Sequence, residues 1–582
     1  MSGAFEISGD YYEQKAELQR CFLEIGAGDL KSVSTLVSSV ESKLASTFSD
    51  GSSANEALHI LESILSFLSF SVLAEEVTDA LSFEIPKAIA GFAGVSDECA
   101  ALVDRILDEF TEKCCPRDML SILCEALGLT NQSKSPSKYA TPIIASLAKV
   151  IRCTQRRPFE QIAVAIPIVL NVLKTLTWAV NGDNDEFFTL FQKALSIADS
   201  IQATREELDA KLSESIGSLL ALYTMQVMAL VSVCMGSNAS CLPLVNKISS
   251  ILLLCDCSYL GLFTGSDVEK HSGITEKVEE DSLNDCFSNV KLGAVLIVIF
   301  PDANEARILE TVKEELRCDR TKRWEALAMV RHALNSERIS WKLKEHAIKF
   351  LLCIAIGSSA GPQHSDDSIH LLSVFPALQS LAIMVMRAPL KDLRSRTFKL
   401  LKRVVADVPS SMRLQSLQLL IKNNESPHMK ALLIDLARGE LHKEINEVDK
   451  TPSLWTDDVL AMVETVLKPS EGGPPKLPDD GEGVLAALNL FRFVLMTESA
   501  SNCWNFKCLV VVLIVGKAGK SNHTGVLSKE KLEKAYLQWF LPLRALLCRI
   551  RMENDDTDDA VCCINLLEMV LYRCLELVEE SL

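Results

Sequence analysis

Apolar residues recur at three- and four-residue spacing along almost the whole chain, in blocks separated by short polar stretches. That period belongs to amphipathic helices, and no alternating blocks are present to supply the strands of a βαβ crossover. Residues Pro389 to Glu440 show the pattern best. Leu390, Leu393, Phe398, Leu401, Val404, Val405 and Val408 share one face, with Lys391, Arg394, Lys399, Lys402 and Arg403 on the other, and Pro409 ends the helix. Ser410 or Ser411 caps a second helix carrying Met412, Leu414, Leu417, Leu420 and Ile421, which stops at Asn423 and Asn424. Ser426, Pro427 and Gly439 bracket a third, with Met429, Leu432, Leu433 and Leu436 as its stripe. Short successive helices of this kind cannot bury their stripes alone, so they stack on neighbours. The expected fold is all-α, an irregular HEAT/armadillo-like α-solenoid, with separate helical bundles as the alternative because no strict period is visible.

Composition agrees. The 582 residues exceed one compact core, 48% are hydrophobic, and only 6% are aromatic. An excess of 77 acidic over 59 basic residues gives a formal charge of −18, which argues against nucleic acid as a partner. Nineteen cysteines, with no C-x-x-C, read as reduced core thiols and point to cytoplasm or nucleus. The N-terminal residues lack the basic and apolar regions of a secretory signal. Ser215 to Asn246 carries no charge, and Leu219 to Met235 could span a bilayer by length. Tyr223, Thr224, Gln226 and Ser232 interrupt it, so it reads as a buried helix rather than a membrane segment. The run Leu292 to Phe300 is too short to span.

Polar stretches divide the chain into N-terminal helical repeats over 1–263, a mobile loop over 264–285, and central repeats over 286–468 with a basic helix at 390–408. A second loop follows over 469–484, and C-terminal repeats over 485–582 are interrupted by an atypical insertion at 503–523. The insertion's uncharged, β-prone run Leu509 to Val515 has no place in a helical stack.

No catalytic set emerges. Gly516, Gly519, Lys520 and Ser521 resemble a phosphate loop, but two residues separate the glycines where four are needed. His364, Ser365 and Asp366 are adjacent and so diverge, whereas a triad converges from separate elements. Cys114–Cys115, Cys255 with Cys257, and Cys562–Cys563 lack the second ligand pair of a metal site, and His332 and His346 read as helix-surface residues. No metal, cofactor or small-molecule substrate is expected, and the chain reads as an interaction protein, not an enzyme.

The C-terminal third carries a family resemblance. Glu482 to Leu495, Phe540 to Arg544 and Ile564 to Glu580 are similar to the closing segments of the glomulin family, above all to its plant branch, the aberrant lateral root formation proteins. Leu419 to Asn424 and Leu432 to Leu436 extend the likeness. The resemblance implies a non-catalytic HEAT-like protein that binds the RING-box subunit of cullin–RING (SCF) ubiquitin ligases. Its C-terminal repeats would cover the surface that receives the conjugating enzyme, so that ubiquitin transfer is inhibited. The insertion at 503–523 departs from the family pattern and puts normal docking in doubt.

Candidate contact residues follow from spacing and chemistry. With Leu488, Leu490, Phe491 and Val494 inward, Asn489 and Arg492 should share an exposed face. Arg544, Tyr572 and Arg573 join them, since arginine and tyrosine make strong interface anchors. A secondary basic face at Lys399, Lys402 and Arg403 is the alternative. There the chain would be a general HEAT-repeat scaffold for an acidic or phosphorylated protein.

Overall fold

The computed structural model describes residues 7–50, 54–70, 74–178, 184–236, 239–274, 281–300, 306–355, 367–446, 454–468, 473–503, 526–553 and 558–582. Among these residues there is no strand, and the protein is an all-α solenoid. Two units make up the chain, one of 1–316 with 325–350 and the other of 317–324 with 351–582.

From Lys31–Asp50 to Asn184–Glu206 each helix packs on the one two places along, which is how stacked helical repeats bury their stripes. Ala54–Phe70 packs on Asp97–Lys113, that helix on Pro136–Cys153, and that in turn on Asn184–Glu206. A second layer runs in parallel through Lys31–Asp50, Glu75–Ala90, Pro116–Gly128, Pro158–Trp178 and Ala210–Met235. The charge-free helix Ala210–Met235 lies inside this stack, with 83% of its most apolar 18-residue window buried by protein. Its Tyr223 hydroxyl donates to the Ala194 carbonyl at 2.9 Å, satisfying a polar group within the core. Pro158–Trp178 is also long and apolar enough to cross a membrane, a property unremarked in the sequence, but half of its window is covered by the stack.

The run expected to be a short buried segment is the helix Val290–Ile299, which crosses Ala210–Met235 at Gly293. A Cβ there would stand 1.8 Å from the Met225 carbonyl oxygen, so only glycine admits this approach. The stretch 264–285, expected as a loop, holds the helices Ser266–Ser272 and Asp281–Cys286.

In the second unit Asp367–Arg387 packs on Lys391–Asp407, and Ser410–Lys422 on both Pro427–Asn446 and Asp458–Leu467. Pro427–Asn446 runs straight through Gly439, the residue that by its spacing should follow the helix end. That glycine faces open space, so it disturbs no packing and costs only its helix propensity, about 1 kcal/mol. Arg323 is buried and forks both oxygens of Asp407, at 2.9 Å and 3.1 Å from Nη2, while the Trp324 indole N–H donates to the same carboxylate at 3.3 Å. The insertion at 503–523 falls, apart from the backbone of Cys503, outside the described residues, as does the His364–Asp366 stretch.

Candidate protein-binding surface

The C-terminal helices are anchored before they are exposed. Gly481–Cys503 buries Leu488, Leu490, Phe491 and Val494, as its spacing requires. The Phe491 ring meets Phe540 edge-on at 5.0 Å and Trp539 at 6.2 Å, fixing the turn Tyr536–Phe540 beneath it. The final helix, Asp558–Ser581, lies along Gly481–Cys503, and the Cys574 thiol points at the Leu488 carbonyl at 3.6 Å.

Against this base Leu541–Glu553 and the final helix form an antiparallel pair. Arg544 stacks over the Tyr572 ring at 5.3 Å, and seven residues on, Arg551 pairs with Glu568 at 2.9 Å, four residues earlier on the partner helix. The final helix keeps an exposed apolar stripe. Met569 is 63% exposed, Leu566 44% and Tyr572 37%, three residues apart in sequence and so on one face, and Leu537 in the adjoining turn is 61% exposed. Arg573 is exposed and pairs with Glu576 on its own helix at 2.8 Å. An apolar stripe edged by a stacked arginine matches the composition of protein-interface centres better than that of a solvated helix.

Compared with known proteins, the chain matches the family described as "Uncharacterised protein family, YAP/Alf4/glomulin" over residues 13–334 and 325–561. It is 38% identical to Aberrant root formation protein 4 of Arabidopsis thaliana, over 97% of this chain and 92% of that one. The chain belongs to the YAP/Alf4/glomulin family. Two solved helical structures overlap only weakly. A circular tandem repeat protein of novel repeat topology is 11% identical over 84% of this chain and 98% of its own, with a TM-score of 0.24. SYS-1 is 10% identical over 97% of this chain and 86% of its own, at 0.25. Neither score carries an argument.

Within this YAP/Alf4/glomulin chain the sequence-derived candidates separate. Arg544, Tyr572 and Arg573 come together on the exposed pair. Asn489 and Arg492 do not form the open face expected of them. Both are half-buried, because the final helix covers that side, and the Arg492 charge reaches the buried Cys574 thiol. Burial pushes that thiol up to about 12 in spite of it.

The basic helix of this family member is largely committed to its own unit. Arg394 donates to the Ala388 carbonyl at 2.9 Å and Arg403 to that of Leu352 at 3.1 Å, while Arg396 pairs with Asp392. Lys399 is exposed, and Lys402 lies over the Phe398 ring at 4.5 Å.

One constellation escaped the sequence reading. Cys257 Sγ lies 3.4 Å from His271 Nε2, and Ser218 Oγ is 3.1 Å from its Nδ1. Three nucleophile-and-base types meet here, yet Cys257 and His271 are buried. Burial pushes the thiol up to about 12 and holds the imidazole down, the reverse of an activated pair. Its partners lie 14 and 53 residues from His271, so no local motif could have announced it. His332 and His346 are half-buried rather than on the helix surface, and burial lowers both. Cys114 and Cys257 are likewise buried free thiols, and among the described residues no group of three or more His, Cys, Asp or Glu could hold a metal ion.

Proposed function

We propose that this protein is a non-catalytic regulator that binds the RING-box subunit of cullin–RING ubiquitin ligases. Its C-terminal repeats mask the site of the conjugating enzyme and so inhibit ubiquitin transfer, in nucleus and cytoplasm. The observation that carries the reading is the exposed stripe Leu566, Met569 and Tyr572 beside Arg544, in a chain that belongs to the glomulin family. A RING surface offers apolar and aromatic groups to its conjugating enzyme, and an apolar stripe with a pre-oriented guanidinium suits the same surface. The name of the Arabidopsis relative places that protein in root formation, and we extend that setting to this chain.

The scaffold reading through Lys399, Lys402 and Arg403 has less support, since Arg403 is spent on a backbone carbonyl. The deciding experiment is a pull-down of a purified RING-box/cullin C-terminal complex by the full chain, followed by a ubiquitin-transfer assay. Capture with inhibition is expected. Absence of binding at micromolar concentration removes the reading.

A further inference from the structure

In the first unit one patch sets Arg338 and Lys174 over a tryptophan ring. Trp178 closes the helix Pro158–Trp178 and is 45% exposed. The Arg338 guanidinium lies over its ring at 4.0 Å from the centroid, and Lys174, one turn back, approaches the same ring at 4.7 Å. Three residues after Arg338, Trp341 opens the helix Trp341–Ile354. It is 38% exposed and sits 4.8 Å from the buried Lys344 ammonium. Lys342 beside it is exposed.

The patch departs from the rest of its unit. Elsewhere lysines are matched to acids across neighbouring helices, as in Lys43–Glu56, Lys87–Glu125, Lys149–Asp108 and Lys247–Asp199. Among the described residues no carboxylate pairs with Lys174, Arg338 or Lys342. Of the acids adjacent in sequence, Glu345 pairs with Lys349 at 2.9 Å and Glu337 is exposed. After burial, which is the larger cause, Lys349 and Lys342 lower His346 while Glu345 opposes them.

We propose that the surface formed by Trp178, Arg338, Trp341 and Lys342 docks a short Asp/Glu-rich peptide segment of a protein partner. A guanidinium held over an indole ring is desolvated on one face and keeps other N–H groups with which a carboxylate can form two parallel hydrogen bonds. The exposed indole area takes the peptide's methylenes. A long polyphosphate is a worse match, because the protein's net charge of −18 repels any polyanion that extends beyond the patch.

The test is fluorescence anisotropy of a labelled Glu-Glu-Gly repeat peptide titrated with the full chain at low salt, with an oligothymidylate of similar charge in parallel. Saturable, salt-sensitive binding of the peptide is expected. The double variant Arg338→Glu, Lys342→Glu should weaken it by about tenfold or more, the range for removing charge-assisted contacts. Lys422→Glu, at an exposed position of the other unit, should leave it unchanged. A Trp341→Ala variant, which keeps every cation except for its stacking, should weaken binding less than the charge reversal. Absence of saturable binding, wild-type affinity in the charge-reversed variant, or preference for the oligothymidylate would each overturn the proposal.

Discussion

Arg544 lies over the ring of Tyr572, 5.3 Å from its centroid, and thereby ties the outer edge of Leu541–Glu553 to that of Asp558–Ser581. The stack holds both side chains in place before any partner arrives, which reduces the ordering entropy that binding would otherwise cost. Arg544→Ala should weaken RING-box binding by roughly 1–3 kcal/mol, in the range of interface hot spots. The residue is exposed, so the thermal midpoint should stay near wild type. Calorimetric titration of the purified RING-box complex checks the first statement and a melting curve the second.

Leu566 and Met569 provide the apolar area beside that stack. Charging them, as Leu566→Glu with Met569→Glu, should abolish capture of the RING-box subunit and raise solubility, since an exposed apolar stripe favours self-association. Circular dichroism should be unchanged, because neither side chain contributes to the buried core. Retained capture by a folded double variant would place the interface elsewhere.

Arg492 behaves differently from the exposed arginine it resembles in sequence. Its spacing from Leu488, Phe491 and Val494 put it off the core of its own helix, and the structure agrees on those three. What the spacing could not contain is the final helix, nearly eighty residues later, which packs over the same side. Most of the fold was legible because helical period is local. Covered faces and the Cys257–His271–Ser218 contacts were not, because each depends on neighbours distant in sequence. Arg492→Ala should therefore lower stability by about 1 kcal/mol through lost packing of its aliphatic stem. It should alter RING-box binding less than Arg544→Ala does.

The buried Arg323 and the half-buried Asp407 form a polar link within the second unit, 84 residues apart in sequence. Asp407 keeps Arg320 at 3.7 Å and the Trp324 indole N–H, so Arg323→Ala should destabilise that unit by roughly 1–3 kcal/mol, the cost of losing charge-assisted hydrogen bonds. Replacing both with apolar residues should cost much less. Limited proteolysis reads this locally, and the single variant should be cleaved in the second unit at a temperature where wild type resists.

His332 gives the first unit a pH dependence of defined sign. Burial is the main cause and Arg331 and Lys291 are the lesser ones, and together they push its imidazole down from an ordinary 6.5 to about 4. The folded state therefore disfavours the imidazolium, while the unfolded chain takes up the proton near 6.5. Between these values the unfolded state binds more protons, so stability is fully present above about pH 6.5 and is lost as the pH falls toward 4. The full shift would correspond to roughly 3 kcal/mol, and because the side chain is only half-buried, a loss of about 1–2 kcal/mol is expected. His346 is lowered too and adds to the same slope. His332→Gln, which keeps a polar side chain of similar size and cannot titrate, should flatten the fall in melting temperature between pH 7 and pH 4.5 while leaving the midpoint at pH 7 within a few degrees. An unchanged slope in that variant would show that the acid sensitivity of the first unit arises from other groups.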